Sequence, residues 1–370
     1  MERFDFRLVN QRLLHRLLAV RNDKLNKFML YYSQIFIITL LLSAALAFLV
    51  MKLAKKLEVV DKPDQERKIH ERATPLLGGL AIFAAFFIIL YFTRDKILAS
   101  NLLPRHWLGV FIGGCFLMVG GWLDDKYNLK PARQIIWPLL AIISVIAGGV
   151  EIEKITNPFG GYIYLGAMSG GLIAPWLLGM MYTTKLLDGL DGLVTGMTAI
   201  GSFIIFLFTM TAKYYQPDVG LAALVLAAAC LGFLFFNWHP AKIFLGEGGS
   251  LFLGYALGVL AIISGGKIAI ALLVMGLPIL DVAWTILRRL AAGKNPFRFA
   301  DKKHLHFRLL NMGLSVKKSV LLFYAISIVF GLAALFLQSK GKVLALAALL
   351  VIMVLVLVFF AYLDRKRKMV

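Results

Sequence analysis

Long apolar blocks separated by short polar segments make up most of the sequence. About twenty consecutive apolar residues can cross a bilayer as a helix, whereas the strands of a membrane barrel would alternate apolar and polar residues. The pattern therefore predicts an all-α, polytopic integral membrane protein with about eleven transmembrane helices. The predicted bounds are Leu30 to Met51, Pro75 to Phe92, Trp107 to Leu123, Ile135 to Val150, Gly166 to Tyr182, Leu193 to Ala212, Val219 to Asn237, Ser250 to Ser264, Ile268 to Leu287, Val320 to Gln338 and Val343 to Leu363.

The composition supports a membrane protein and excludes other classes. Of the 370 residues, 60% are hydrophobic and 16% charged, and the mean hydropathy is +0.81. These values exclude a soluble enzyme, a secreted disulfide scaffold, a disordered chain and a coiled coil. We expect one transmembrane domain over residues 30–364, a basic N-terminal tail over 1–29 that suits an interfacial helix, and a basic cytoplasmic tail over 365–370.

The Lys and Arg residues predict the orientation in the membrane. The chain has 40 of them against 20 Asp and Glu, a net charge of +20, but they lie between apolar blocks. A lipid bilayer rather than nucleic acid is therefore the expected partner. Most basic residues follow odd-numbered helices, which predicts that these loops face the cytoplasm from a plasma membrane. The basic N-terminal tail conflicts with this parity, which would place it outside.

Carboxylates and histidines are costly at a membrane edge unless they are used, and they concentrate in five loops on the predicted cytoplasmic side. Each loop alone has a plain explanation: acidic pairs end helices, Asp-Gly repeats form turns, glycines form hinges, and histidines lie on surfaces. Their convergence on one face favours a functional site. The five segments are Asp61–His70 with Thr74–Gly79, Asp124–Lys130, Lys185–Leu193, Phe244–Ser250 and Asp301–Arg308.

The residue types in these loops indicate a magnesium and diphosphate site. Mg²⁺ usually binds one or two carboxylates together with substrate phosphate oxygens, and basic side chains hold the remaining phosphate charge. Glycines would let backbone amides approach those oxygens. The candidate oxygen ligands are Asp124, Asp125, Asp188, Asp191 and Glu247; the candidate substrate-binding residues are Lys68, His70, Lys185, Lys303, His304, His306 and Arg308; the glycines are Gly189, Gly192, Gly246, Gly248 and Gly249.

In the order and spacing of all five loops, Asp61 to Arg308 resembles the polyprenyl-phosphate N-acetylhexosamine-1-phosphate transferase family. The resemblance implies ten or eleven helices, cytoplasmic loops and a Mg²⁺ cofactor, with Mn²⁺ as the alternative ion. It implies that Glu247, Asp125 and Asp188 bind the metal. It also implies catalytic roles for the acidic pair Asp124 and Asp125, the Asp-Gly-x-Asp-Gly residues Asp188 and Asp191, and two histidines of a His-x-His-His motif, His304 and His306.

Four positions depart from the family's pattern. Tyr182 and Lys185 stand where the family has Asn, Glu247 where it has Asp, and Phe307 where it has a third His. Glu reaches one methylene farther than Asp, so metal binding would require a shift of the loop, which Gly248 and Gly249 would allow. Lys185 either contacts a phosphate or pairs with Asp188 and silences the site. Both aspartate pairs and two histidines remain, which favours a divergent but active branch.

The resemblance implies transfer of N-acetylhexosamine 1-phosphate, with N-acetylglucosamine favoured, from a UDP-sugar to undecaprenyl or another polyprenyl phosphate. UMP would be released, and the product would begin a cell-envelope glycan. A phospho-N-acetylmuramoyl-pentapeptide transferase and a non-catalytic lipid-phosphate or nucleotide-binding homologue are the alternatives. A transporter is disfavoured because Asp281 is nearly the only ionisable residue inside a predicted helix. A homodimer stays open.

Overall fold

The computed structural model describes residues 6–61, 73–99, 102–157, 160–265, 268–293 and 304–369. The helices in these ranges are α1 Phe6–Lys56, α2 Gly78–Phe92, α3 Arg94–Ile97, α4 Pro104–Tyr127, α5 Pro131–Gln134, α6 Ile136–Ala147, α7 Ser169–Leu187, α8 Leu193–Thr209, α9 Pro217–Asn237, α10 Gly246–Ile263, α11 Ile268–Val274, α12 Gly276–Ala291, α13 Leu305–Asn311, α14 Val316–Phe336 and α15 Ser339–Met369. The strands are β1 Val60–Asp61, β2 Thr74–Pro75, β3 Lys154–Thr156 and β4 Tyr162–Tyr164.

The protein is an all-α, multi-pass membrane protein. In the described ranges, six helices are long and apolar enough to cross a bilayer, and a seventh is added if α11 and α12 count as one broken span. The six are Asn26–Lys56 of α1, α4, α9, α10, α14 and Ser339–Phe360 of α15. Each of the eleven predicted blocks overlaps a helix, but α2, α8 and the α5–α6 pair are shorter apolar helices. The count of eleven spans stays a prediction.

Several predicted blocks have different bounds in the structure. The fifth block was expected to end at Tyr182, but α7 continues to Leu187 because Thr183, Thr184 and Leu187 extend its buried face. The ninth block is broken between α11 and α12, whose axes differ by 80°. At the other end of the chain, α1 is continuous from Phe6, so the N-terminal tail and the first block share one helix.

The centre of the fold is formed by α9 and α10, most of whose residues are buried. Glycines let the neighbouring helices approach α10 closely. A Cβ on Gly121 of α4 would lie 2.0 Å from the Gly248 nitrogen, and a Cβ on Gly79 of α2 would lie 2.0 Å from the Gly249 Cα. Any side chain at these positions would collide with backbone, so the three helix ends are held in direct contact.

Backbone hydrogen bonds join two of the predicted loops. The strands β1 and β2 pair antiparallel, and the Phe244 N–H donates to the Pro75 carbonyl at the end of β2. In return, the N–H groups of Gly78 and Gly79 donate to the carbonyls of Phe244 and Leu245. The segment before α2 and the segment before α10 therefore form one structural unit.

Candidate functional site

The site is built first from the end of α4. The Asp124 carboxylate accepts hydrogen bonds from the Leu129 N–H at 2.8 Å and from the Gln134 side chain at 3.0 Å. Asn128, in the left-handed conformation, ends the helix and lets the chain turn back. Asp124 therefore fixes the loop between α4 and α5, as expected of an acidic residue that ends a helix. The next residue, Asp125, points towards α10.

Asp125 meets the first turn of α10. The Glu247 N–H lies 3.1 and 3.2 Å from the two oxygens of the Asp125 carboxylate. Gly246 makes this approach possible, because its φ is +74° and a Cβ there would lie 2.6 Å from the Asp125 carboxylate. Two residues 122 positions apart are thus brought together, as the convergence of the loops predicts.

The glycines beside Glu247 allow close helix packing, which the sequence did not reveal. Gly248 and Gly249 face the backbones of α4 and α2, so neither has a free surface there for phosphate. The same packing argues against the loop shift that was expected to bring Glu247 to a metal. A longer carboxylate must instead adapt by rotating its own side chain.

Lys185 lies at the same place, on the last turn of α7. Its ammonium forms an ion pair with the Glu247 carboxylate and donates to the Gln134 side-chain oxygen at 3.1 Å. It lies 5.6 Å from the centre of the Tyr182 ring, so Lys185 contacts two other departures from the family's pattern, Tyr182 and Glu247. The expected alternative was a pairing of Lys185 with Asp188, and the structure instead pairs it with Glu247.

The two aspartates of the Asp-Gly-Leu-Asp loop have different surroundings. Asp188 caps the end of α7 and its side chain still reaches solvent. Desolvation by the surrounding protein, and then the negative charges of Glu247 and Asp191, raise the pKa of Asp188 to about 7. Asp191 instead accepts hydrogen bonds from the His239 ring at 2.7 Å and from the Ala241 N–H at 3.0 Å. Asp188 belongs with the acidic cluster, and Asp191 anchors the loop that leads into α10.

Asn237 fixes the second half of this loop. Its side-chain oxygen accepts from the Gly192 N–H and from the Thr195 hydroxyl, and its NH₂ donates to the Ile243 carbonyl at 3.0 Å. The Tyr324 hydroxyl of α14 donates to the Gly192 carbonyl. These buried bonds hold the segments before α8 and α10 in a single arrangement.

The predicted histidines are buried rather than on the surface. Nδ1 of His304 lies 2.9 Å from the Asp281 carboxylate, which also accepts from the Leu305 N–H at 3.0 Å. The rings of His304 and His306 stack with centroids 5.6 Å apart. Because Nδ1 of His304 is bound to Asp281, Nε2 is the ring atom left for a substrate.

His306 joins this segment to the Asp188 loop. A Cβ on Gly189 would lie 2.5 Å from its Nε2, so the ring packs directly on the backbone beside Asp188. Burial, followed by the charge of His304, lowers the pKa of His306 to about 4, and the ring is neutral at pH 7. Neither ring nitrogen has a hydrogen-bond partner in the part of the chain that the structure describes.

Of the remaining predicted site residues, one contacts an aromatic ring and three lie outside the described residues. Arg308 lies over the Phe360 ring of α15, with 5.3 Å between the guanidinium carbon and the ring centre. Lys68, His70 and Lys303 lie outside the described residues. The structure thus brings together Asp124, Asp125, Lys185, Asp188 and Glu247, and it places His304 and His306 against the Asp188 loop through Gly189.

The cluster has the charge that suits a cation. Four carboxylates lie near one another, and Lys185 is the one basic side chain that the described contacts place among them. In the described ranges, no three His, Cys, Asp or Glu side chains are already arranged around a single point as metal ligands. The donor chemistry fits Mg²⁺, which needs only one or two carboxylates when phosphate oxygens complete its coordination.

Several contacting residues were missed from the sequence. Gln134, Asn237, His239 and Tyr324 lie on or beside predicted helix ends and carry no motif of their own. Asp281 was recognisable in the sequence as an ionisable residue inside an apolar block. The structure shows that it is the buried partner of His304.

Comparison with known proteins gives consistent matches. The family model described as glycosyl transferase family 4 matches residues 107–265. A Bacillus subtilis protein named as a probable undecaprenyl-phosphate N-acetylglucosaminyl 1-phosphate transferase is 34% identical over 327 residues, which are 86% of this chain and 88% of the relative. The match therefore extends across nearly the whole of both chains.

Two further relatives carry related names. The decaprenyl-phosphate N-acetylglucosaminephosphotransferase of Mycolicibacterium smegmatis is 30% identical over 340 residues, 81% of either chain. A phospho-N-acetylmuramoyl-pentapeptide-transferase of Nitratidesulfovibrio vulgaris is 31% identical over 303 residues, 72% of this chain and 80% of the relative.

Proposed function

Because the chain belongs to glycosyl transferase family 4, we propose that it transfers N-acetylhexosamine 1-phosphate from a UDP-sugar to a polyprenyl phosphate and releases UMP. N-acetylglucosamine is the proposed sugar and undecaprenyl phosphate the proposed acceptor, and the reaction takes place at the cytoplasmic leaflet. The observation that carries the proposal is the meeting of Asp125 and Glu247, with Asp188 and Lys185 beside them.

The acidic cluster supports binding of a divalent cation with a diphosphate. Asp125, Asp188 and Glu247 would hold Mg²⁺, which would neutralise charge on the donor's phosphates. Burial first, and then the negative charges of Glu247 and Asp191, raise the pKa of Asp188, and a bound cation would favour its charged form. His304, with Nδ1 held by Asp281, would use Nε2 to contact a phosphate oxygen.

The reaction itself requires little covalent catalysis from the protein. An oxygen of the lipid phosphate forms a bond to the β-phosphorus of the UDP-sugar, the bond from that phosphorus to the bridging oxygen breaks, and UMP leaves with the electron pair. Reactions of this kind depend on positioning and charge neutralisation. The rigid contacts among α2, α4 and α10 supply that positioning, because no side chain separates their backbones.

Two alternatives have specific support. The match to a phospho-N-acetylmuramoyl-pentapeptide-transferase favours a larger donor, although Phe307 stands where that family has histidine. The ion pair between Lys185 and Glu247 favours a binding homologue without catalysis, because it occupies a proposed metal ligand.

The test is release of UMP by purified protein in detergent with undecaprenyl phosphate, Mg²⁺ and a panel of UDP-sugars that includes UDP-N-acetylglucosamine and UDP-N-acetylmuramoyl-pentapeptide. We expect release that needs both lipid phosphate and Mg²⁺. Asp125→Asn and Glu247→Gln should each abolish it, whereas Glu153→Gln, exposed near β3, should not. Folded wild-type protein that releases no UMP from any donor would reject the transferase.

A further inference from the structure

Lys185 is a cation built into the acidic cluster. Its ammonium is bound by the Glu247 carboxylate on one side and by the Gln134 oxygen on the other. The Gln134 NH₂ in turn donates to Asp124 at 3.0 Å and to the Leu129 carbonyl at 2.9 Å, which fixes the direction in which its oxygen points. A chain of contacts therefore runs from Glu247 through Lys185 and Gln134 to Asp124.

This position is well defined. The Lys185 side chain is 19% exposed and lies over the Tyr182 ring. It leaves the structured end of α7 three residues before Asp188, so the ammonium and the Asp188 carboxylate border the same cluster. Both ends of the ion pair are on helices that pack against each other, so the pair is part of the folded architecture.

The ion pair and a divalent cation compete for one carboxylate. Glu247 cannot give its full negative charge to a metal while it neutralises Lys185. A metal that binds Glu247 must displace the ammonium, and a lysine has a flexible stem that permits such a movement. The displaced charge then needs another anion nearby, and the phosphate oxygens of a donor bound to that metal would meet this need.

We propose that Lys185 positions the donor's diphosphate, and that it rests on Glu247 until a divalent cation takes that carboxylate. The inference rests on the proposed function, because it assigns the phosphates of the UDP-sugar as the second partner of Lys185. Its consequence is that cation and donor bind cooperatively. The cation frees Lys185 from Glu247 for the donor's phosphates, and the phosphates hold Lys185 away from Glu247 so that the cation can bind there. Such coupling is reciprocal and typically about 5- to 150-fold.

The experiment measures binding rather than turnover. Mn²⁺ binding is followed by electron paramagnetic resonance, first alone and then with saturating UDP-N-acetylglucosamine, for wild type, Lys185→Gln and Lys185→Arg. Gln can keep a hydrogen bond to Gln134 but removes the charge, and Arg keeps the charge. Thermal unfolding in detergent shows whether each variant is folded.

We expect Lys185→Gln to bind Mn²⁺ alone about tenfold more tightly than wild type, because the competing ammonium is gone. The same variant should bind the donor in the presence of Mn²⁺ about tenfold more weakly, and Lys185→Arg should resemble wild type in both respects. Tighter Mn²⁺ binding together with weaker donor binding is a pattern that a merely structural ion pair would not give.

Two results would overturn the inference. One is a folded Lys185→Gln variant that binds Mn²⁺ no more tightly than wild type or keeps full donor affinity. The other needs no variant: wild-type protein whose Mn²⁺ affinity is the same with and without donor lacks the coupling. Failure of the transferase proposal appears separately, as absent UMP release, and the competition between Lys185 and Mn²⁺ can still be measured in that case.

Discussion

The packed pair of helices α4 and α10 carries a different arrangement of charges at each of its two ends. At one end Asp124, Asp125 and Glu247 lie together with Lys185 as their described cation. At the other, roughly 22 Å away along α10, a cavity of about 330 Å³ is bordered by charges of both signs. They include Arg105, Glu151, Glu153 and Lys154, all exposed to solvent, and the buried Asp218.

This difference shows why a cavity alone does not identify a site. Exposed charges of both signs are solvated and largely balance each other, so they need no ligand. A surplus of carboxylates packed between helix ends is destabilising to the extent that bound protons or cations do not neutralise it. At the acidic end glycines bring the backbones of α2, α4 and α10 into contact, so its geometry is fixed before anything binds. Gly109 and Gly148 bring α4 and α6 together at the other end in the same way, so close packing is common to both ends and the charge surplus is what distinguishes them.

The largest expected effect comes from separating the helices at the acidic end. Gly121→Ala would place a Cβ 2.0 Å from the Gly248 nitrogen and 2.2 Å from its Cα. Because backbone cannot move aside as a side chain can, we expect a cost of about 3 kcal/mol or more and loss of most folded protein. Size-exclusion chromatography and thermal unfolding in detergent measure this effect.

The control is Gly170→Ala, near the start of α7 at the other end of the molecule. Nothing lies within 4 Å of a Cβ built there, so its stability should stay within about 0.5 kcal/mol of wild type. A Gly121→Ala variant as stable as Gly170→Ala would show that the close packing at the acidic end is not required.

Gly189→Ala tests positioning rather than folding. Its Cβ would meet Nε2 of buried His306 at 2.5 Å and the Phe307 ring at 3.2 Å. The loop that carries Asp188 must then shift, and a displacement of about 1 Å can cost roughly 100-fold in rate. We expect that loss in UMP release. Gly179→Ala, in the same region of sequence but with open space around its Cβ, should retain activity, and equal rates for both would contradict the prediction.

Much of the fold was predictable because apolar blocks of spanning length leave few alternatives. Every predicted block overlaps a helix, and the predicted meeting of the Asp124 and Phe244 loops is found between Asp125 and Glu247. The bend between α11 and α12 was not predicted, since the block is continuously apolar through the break. The predicted orientation, metal and span count rest on the sequence and the resemblance.

The finer details of the site were beyond sequence reasoning for a physical reason. Asp188 and Asp191 are three residues apart in one motif, yet one joins the acidic cluster and the other bonds to His239, 48 positions away. Spacing reports which residues are near along the chain, and it does not report which way each side chain turns. The glycines beside Glu247 were likewise visible, but the helices packed against them were not.

His306 provides a smaller and pH-dependent test of the acidic end. Its pKa is about 4 in the folded protein against an ordinary value of 6.5. Between those values the unfolded chain binds a proton that the folded chain does not, so stability falls as the pH is lowered through that window. From pH 7 to pH 5 the loss is about 2 kcal/mol. Thermal unfolding at pH 7 and pH 5 should show this loss in wild type.

His306→Phe removes the titrating ring while it keeps an aromatic side chain in contact with His304. The variant should therefore lose about 2 kcal/mol less than wild type between the two pH values. If wild type and variant respond equally to acid, another group is responsible and the buried neutral state of His306 is wrong.

The smallest expected effect belongs to the opposite end. Glu151→Gln and Glu153→Gln each remove a charge that is exposed to solvent beside Arg105 and Lys154. Because water already solvates these groups, each change should alter stability by less than about 0.5 kcal/mol. UMP release should stay within twofold of wild type. A large loss of transfer in either variant would mean that the distant end communicates with the acidic cluster, and charge surplus would then no longer suffice to tell the functional end from the other.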